Sequence, residues 1–249
     1  MYDSNTSKIC VVMPTYNNGG TLRDVVERTL QFCPDVIVVN DGCSDTSAEI
    51  LASFGDKITV VDYGKNRGKG YALKQGFKKA QDLGFDYAIS IDSDGQHFPE
   101  DIPLFIKTLE THPNALIVGS RNLNEENMPG KNTFANKFSN FWFKVQTGVN
   151  LPDTQTGYRL YPLKSLPYLR LLTSRYEAEL ELLVGAAWRG TDLIPIKINV
   201  FYPKAEERIT HFRPFWDFFR ISVLNTFLCI LAVIYGLPSR YIRRRRKHD

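Results

Sequence analysis

Tyr87-Ala88-Ile89-Ser90-Ile91-Asp92-Ser93-Asp94-Gly95-Gln96-His97 is a short, mostly apolar run that stops at two carboxylates. A run of that length closed by the turn dipeptide Asp94-Gly95 reads as a buried strand, Tyr87–Ile91, ending at Asp92. Two carboxylates two residues apart at a strand end can turn toward one point. Hard divalent cations take oxygen ligands there and accept substrate phosphates as the rest of their shell. Gln96 and His97 lie close enough in sequence to contribute. The plain alternative is a turn rich in Asp and Gly.

The flanking sequence repeats the pattern. Ile9–Met13, Val36–Val39, Ile58–Val61 and Ala115–Val118 are further apolar runs. Between them, Thr21–Phe32, Ser44–Phe54, Gly70–Leu83 and Pro103–Leu109 carry helical spacing; Leu22, Val25, Val26 and Leu30 mark the first. Strands alternating with helices predict a largely parallel, doubly wound α/β sheet. Ligands of such sheets sit beyond the carboxyl ends of the strands. Here those ends carry Thr15-Tyr16-Asn17, Asn40-Asp41, Ser90 to Asp94, and Gly119-Ser120-Arg121, which together outline one site. The second half is less regular: helices are expected at Asn132–Thr147 and Tyr176–Trp188, a loop entering a strand at Asp153–Tyr161, and a strand at Leu193–Phe201.

Charge is unevenly spread. The 249 residues sum to +4, with 31 Lys and Arg against 27 Asp and Glu. Residues 239–249 hold six of the cations, Arg240, Arg243 to Arg246 and Lys247, against one Asp, so the remaining chain is close to neutral. The sequence pI of 8.8 is a property of that tail, and a general nucleic-acid surface loses its support. With 43% hydrophobic and 23% charged residues the chain can build a substantial core. Cys10, Cys33, Cys43 and Cys229 show no paired spacing, which fits a reducing compartment. The polar stretch Met1–Lys8 lacks a secretory pattern, so the body is expected in the cytosol.

Two further stretches carry chemistry. Asn66-Arg67-Gly68-Lys69-Gly70 opens a helix, where glycines allow close backbone approach and the helix start favours anions; a plain helix-entry turn is the alternative. Asp41 follows the second strand, where a carboxylate can accept from a base or ribose, or cap the helix that follows. These pieces occur in one order with Gly119-Ser120-Arg121 and Asp153-Thr154-Gln155-Thr156-Gly157-Tyr158-Arg159. Over about residues 8–203 they resemble the family 2 glycosyltransferases of the GT-A fold. The branch they are most similar to is that of dolichol-phosphate mannosyltransferases and polyprenyl-phosphate glycosyltransferases.

The resemblance implies roles. Asp92, Asp94 and Gln96 would hold Mg²⁺ or Mn²⁺ on the diphosphate of a nucleotide-sugar donor. Pro14, Tyr16, Asn17 and Asp41 would line the nucleoside pocket, with Lys69 and Gly70 also on the donor. Arg121 would meet phosphate. Asp153 and the turn Gln155, Thr156, Gly157 would border sugar and acceptor, and Glu179 and Glu181 match an acidic helix facing the sugar. Two positions depart from the family pattern, Asn18 where Glu is frequent and Cys43 where Ser is usual. The implied reaction is displacement at the anomeric carbon with inversion, onto a polyprenyl phosphate or, alternatively, a glycan or lipid hydroxyl. A non-catalytic scaffold is disfavoured, because the acidic pair, Arg121 and the Asp153 turn are intact.

The C-terminus suggests the acceptor. Arg208, His211 and Arg213 form a cationic stretch suited to the acceptor's lipid phosphate, the alternative being a basic interfacial loop that touches only lipid headgroups. Phe212, Phe215, Trp216 and Phe219 follow at the spacing of an amphipathic interfacial helix. Ile221–Leu237 is then mostly apolar and only 17 residues long, the short limit for a crossing. One crossing would also separate the body from a basic tail that should stay cytosolic. The expectation is a catalytic domain at 1–207 and a membrane-associating segment at 208–249. That segment would lie on the cytoplasmic face of an anionic membrane, in an interfacial or re-entrant arrangement or buried against a partner; the plain alternative is a C-terminal core helix, and a homo-oligomer or a membrane partner is compatible. Nucleic acid is not expected as a partner.

Overall fold

The computed structural model describes residues 8–121, 130–164, 173–175, 177–202 and 214–248. Seven strands form one sheet in the order β3-β2-β1-β4-β6-β5-β7. They are β1 (Ile9–Thr15), β2 (Val36–Asn40), β3 (Thr59–Asp62), β4 (Tyr87–Ser90), β5 (Leu116–Ser120), β6 (Arg159–Pro162) and β7 (Leu193–Lys197). All neighbours are parallel except the two pairs made by β6, which runs antiparallel between β4 and β5. The continuous apolar runs have a physical reason: β2, β4 and β5 are buried at every residue, so both faces must be apolar. The edge strands β3 and β7 alternate exposure instead.

The helices are α1 (Leu22–Phe32), α2 (Ser47–Ser53), α3 (Lys69–Asp82), α4 (Ile102–Thr111), α5 (Gly130–Thr147), α6 (Glu177–Trp188), α7 (Pro214–Leu231) and α8 (Leu237–His248). A π-helical turn, Ala232–Gly236, joins the last two. One core layer sets Leu22, Val25, Phe105 and Leu109 of α1 and α4 against the sheet. The other gathers Leu73 and Phe77 of α3, Phe143 of α5, and Leu182 and Leu183 of α6. Leu224, Leu228 and Ala232 belong to this second layer, so the C-terminal helix is laid along the body by one face.

Three sequence boundaries move for local reasons. The helix expected from Ser44 starts at Ser47, because Asp45 accepts the N–H groups of Gly19 and Ser47 and holds the residues before it in a turn. The strand expected through Phe201 leaves the sheet after Lys197; Val200 bridges His97 and Phe201 N–H bonds Gln96 O. The amphipathic and apolar C-terminal segments form one helix up to the π turn.

Candidate active site

The carboxyl edge of β1, β2, β4 and β5 carries the site. Because β6 is antiparallel, its first residue and the loop before it, 153–157, reach that same edge. The centre is Lys69, in the first turn of α3. Its Nζ lies 2.7 Å from Asp92 Oδ1 and 3.1 Å from Glu179 Oε2, so α3, the β4 end and α6 meet at one cation. Burial alone would lower the ammonium, but Asp92 and Glu179 hold it above the usual lysine range. Burial would likewise raise Asp92, and Lys69 holds it below the usual carboxylate range. Glu179 keeps its second oxygen, Oε1, buried without a hydrogen-bond partner. A Cβ on Gly157 would lie 2.7 Å from Lys69 Nζ, 2.8 Å from Glu179 Oε1 and 3.0 Å from Asp92 Oδ2. The absent side chain at 157 keeps this centre open.

Arg121 and Asp153 form the neighbouring charge pair. Arg121 Nε donates to Asp153 Oδ2 at 2.6 Å and Nη2 to Oδ1 at 3.0 Å, a two-pronged contact. Asp153 also accepts from Asn136 Nδ2, the Gln155 N–H and, at 3.3 Å, the Arg121 N–H. Its fully buried carboxylate is thus committed to protein donors and sets the position of Arg121. Thr156 is buried in the turn and accepts the Tyr158 N–H, while Gln155 is exposed.

At the β1 and β2 ends, Asp41 is buried and accepts from Tyr63 Oη (2.7 Å), Arg67 N–H (2.7 Å) and Gly68 N–H (2.9 Å). It ties the loop before α3 to β2. Gly68 (φ +95°) and Gly70 press against Ser174, Arg175 and Ala178, where any Cβ would collide with Ser174 O, Arg175 O or the Ala178 methyl. These glycines therefore serve close packing against the start of α6. Asn17 adopts φ 53°, a left-handed conformation Asn tolerates, and its Oδ1 accepts the Ser44 N–H. Pro14 is buried in β1, and its carbonyl accepts the Ser93 hydroxyl. Tyr16 follows, half-buried. The two unusual positions find uses: Asn18 Nδ2 donates to Ser93 Oγ at 2.8 Å, and Cys43 Sγ accepts the Asn17 N–H.

The donor set decides whether a divalent cation suits the acidic pair. Burial and the charge of Asp92 push the Asp94 carboxyl up to about 6, so Asp94 ionises against a negative charge already in place. A shared dication relieves that conflict. Burial pushes the His97 imidazole down to about 4, and its unpartnered Nδ1 stands 3.9 Å from Asp92 Oδ2. Gln96, half-buried, donates its N–H to Asp94 Oδ1. Among the described residues no three His, Cys, Asp or Glu side chains form a metal cage. Two carboxylates without a closed cage fit an ion that draws its remaining ligands from phosphate and water.

Arg208, His211 and Arg213 lie outside the described residues. Two contributions are given no role by the sequence. Arg159 closes the Asp153–Arg159 stretch; it is fully buried and donates to the carbonyls of Glu179 and Thr154, joining β6, α6 and the site loop. Asn136, Ser139 and Asn140 of α5 bond Asp153, Thr154 and Pro152, a polar face at helical spacing.

Known proteins share sequence and fold with this chain. The family model described as "Glycosyl transferase family 2" matches residues 10–167. The UDP-N-acetylglucosamine–dolichyl-phosphate N-acetylglucosaminyltransferase of Methanococcus voltae is 28% identical over 215 residues, covering 78% of this chain and 86% of the relative. The human dolichyl-phosphate beta-glucosyltransferase is 26% identical, covering 89% and 75%. The crystal structure of glucosyl-3-phosphoglycerate synthase from Mycobacterium tuberculosis, in complex with Mn²⁺, uridine-diphosphate-glucose and phosphoglyceric acid, is similar in fold. Its TM-score is 0.60 at 17% identity, over 80% of this chain and 74% of that one.

Proposed function

This chain belongs to glycosyl transferase family 2, and on that footing we propose that it moves a sugar from a nucleotide-sugar to a polyprenyl phosphate. An acceptor phosphate oxygen forms the new bond to the anomeric carbon. The bond to the donor diphosphate breaks on the opposite face, so configuration inverts and a nucleoside diphosphate leaves. An anionic acceptor has no proton to lose, so cations that position it matter more than a base. Two relatives with dolichyl phosphate in their names support this acceptor.

Pro14, Tyr16, Asn17 and Asp41 form the nucleoside side. Asp92, Asp94 and Gln96 would hold Mg²⁺ or Mn²⁺, which when bound neutralises charge on the leaving diphosphate. Arg121, steadied by Asp153, meets phosphate. Glu179 and the Gln155–Gly157 turn border the sugar, and Arg208, His211 and Arg213 receive the acceptor phosphate. Residues 1–207 act as the catalytic domain and 208–249 as the membrane-associating segment, at the cytoplasmic face. The observation that carries the proposal is Lys69, held by Asp92 and Glu179 at an opening left by Gly157, with a second carboxylate-held cation, Arg121, within electrostatic reach of Asp92.

The test is a panel of radiolabelled GDP-mannose, UDP-glucose and UDP-N-acetylglucosamine with polyprenyl phosphate and Mg²⁺ or Mn²⁺. Label is expected in lipid from one donor. Donor hydrolysis with no labelled lipid would move the acceptor to a hydroxyl.

A further inference from the structure

The residue between the two carboxylates of the acidic pair is held from outside its own loop. Ser93 is 1% exposed. Its hydroxyl donates to the Pro14 carbonyl at 3.2 Å and accepts from Asn18 Nδ2 at 2.8 Å. Its carbonyl accepts the Thr21 hydroxyl at 2.7 Å. The segment 14–21, which carries the nucleoside side of the site, thus grips both the side chain and the backbone of Ser93. That segment is fixed in turn at the β2 end. The Asn17 N–H donates to Cys43 Sγ, Asn17 Oδ1 accepts the Ser44 N–H, and the Gly19 N–H donates to Asp45 Oδ2. The Asn18 carbonyl accepts the N–H groups of Thr21 and Leu22, so the loop is continuous with the first turn of α1.

The direction of these bonds gives Asn18 a reason. A hydroxyl has one proton to give, and Ser93 gives it to Pro14, so the partner at 18 must be a donor. The Asn18 amide is one. The Glu frequent at this position in the family would instead compete with Pro14 for the Ser93 proton. It would also bring a third negative charge beside Asp92 and Asp94, where Asp94 already ionises against Asp92. A buried hydrogen-bonded chain transmits displacement well, because an unmade bond in it is costly. Movement of the 14–21 segment therefore reaches the peptide between Asp92 and Asp94 directly.

We propose that Asn18 is a positioning residue that, with Thr21, couples the nucleoside side of the site to the acidic pair through Ser93. A nucleoside that settles the loop around Tyr16 and Asn17 sets the spacing of Asp92 and Asp94, and a divalent cation on those carboxylates settles the loop in return. The identity of the two ligands rests on the transferase reading above; the coupling is additional to it.

The test measures Mn²⁺ binding to the full chain from the paramagnetic resonance signal of the free ion, with and without uridine or guanosine. A nucleoside has no diphosphate with which to ligate the ion, so any gain must pass through the protein. In the native chain one of the two nucleosides should tighten Mn²⁺ by about fivefold or more. Asn18→Ala should cut that gain to about twofold or less, and Asn18→Ala/Thr21→Val should abolish it. Ser93→Ala should match Asn18→Ala, and combining them should cost nothing further, because both remove one bond; either single variant carries the test should the other fail to fold. The readout is the ratio of affinities, which a merely structural role would leave unchanged. An undiminished ratio in Asn18→Ala or Ser93→Ala would overturn the proposal. So would a native ratio of one with both nucleosides, or a native chain that binds no Mn²⁺. Coupling lost in these variants, in a protein whose native form labels no polyprenyl phosphate, would count against the transferase reading alone.

Discussion

At the residue scale, the site stores conflict that its ligands would resolve. Asp94 is the clearest case. Its folded-state carboxyl sits at about 6 against an ordinary value of 3.8, so the folded chain binds its proton more tightly than the unfolded chain does. That contribution to stability is present below 3.8 and is lost as pH rises through 6. Asp94→Asn is therefore expected to stabilise the metal-free protein at pH 8 by about 1–3 kcal/mol and to leave it nearly unchanged at pH 4. Urea titrations at both pH values check this, and equal effects would remove the charge explanation. The same variant should lose Mn²⁺ binding, and in the native chain Mn²⁺ affinity should fall below about pH 6, where protons compete. Gly157 gives a steric counterpart. Gly157→Ala places a methyl within 3.0 Å of Lys69, Glu179 and Asp92. It should cut kcat/KM by about 100-fold or more, the order expected when a reacting geometry is displaced by about 1 Å. Circular dichroism should show the fold intact.

At the element scale, the loop before α3 depends on one buried acceptor. Asp41→Asn turns one of two accepting oxygens into a donor facing either the Arg67 N–H, bonded to Oδ1, or the Gly68 N–H, bonded to Oδ2. The expected cost is about 1–3 kcal/mol for the unmet donors, with faster hydrogen exchange confined to residues 63–70. Exchange unchanged there would mean that the loop is held from α6 instead. These elements also show what a sequence discloses. β1, β2, β4 and β5 are buried on both faces, so their β-branched runs declare themselves, and their polar ends name the site edge. The register of that edge with β6 does not. Arg159-Leu160-Tyr161-Pro162 is too short and mixed to reveal direction, and its antiparallel placement depends on the sheet it enters. Likewise Lys69 reads as a phosphate-binding cation in sequence; only the fold brings Glu179, 110 residues later, to its side.

At the scale of the whole molecule, the decisive feature is how the C-terminal helix is attached. Phe219–Ile242 is long and apolar enough to cross a membrane by length and composition, yet 28% of an 18-residue window within it is buried in the protein. That burial is specific. Leu224, Leu228 and Ala232 enter the core shared with α3, α5 and α6. Asn225 bonds Gln146, Trp188 Nε1 donates to the Gln146 carbonyl, and Gly236 at the π turn lets the helix close on the Trp188 ring. A free transmembrane anchor would need none of these contacts, because lipid could cover its apolar side chains equally well. A helix in the plane of the membrane needs all of them, since it must remain part of the body while its outer face meets lipid. The two arrangements differ in what a core substitution does. If the helix is integral, Leu228→Ala removes a buried side chain from the common core and should lower the unfolding free energy of the whole protein by about 2–4 kcal/mol, in one cooperative transition. If the helix is independent, tryptophan fluorescence would report a local change while the urea midpoint of the sheet stayed fixed. Far-ultraviolet circular dichroism and Trp188 emission, followed through the same titration, distinguish these outcomes; coincident shifts are the result expected of a helix that belongs to the enzyme before it belongs to the membrane.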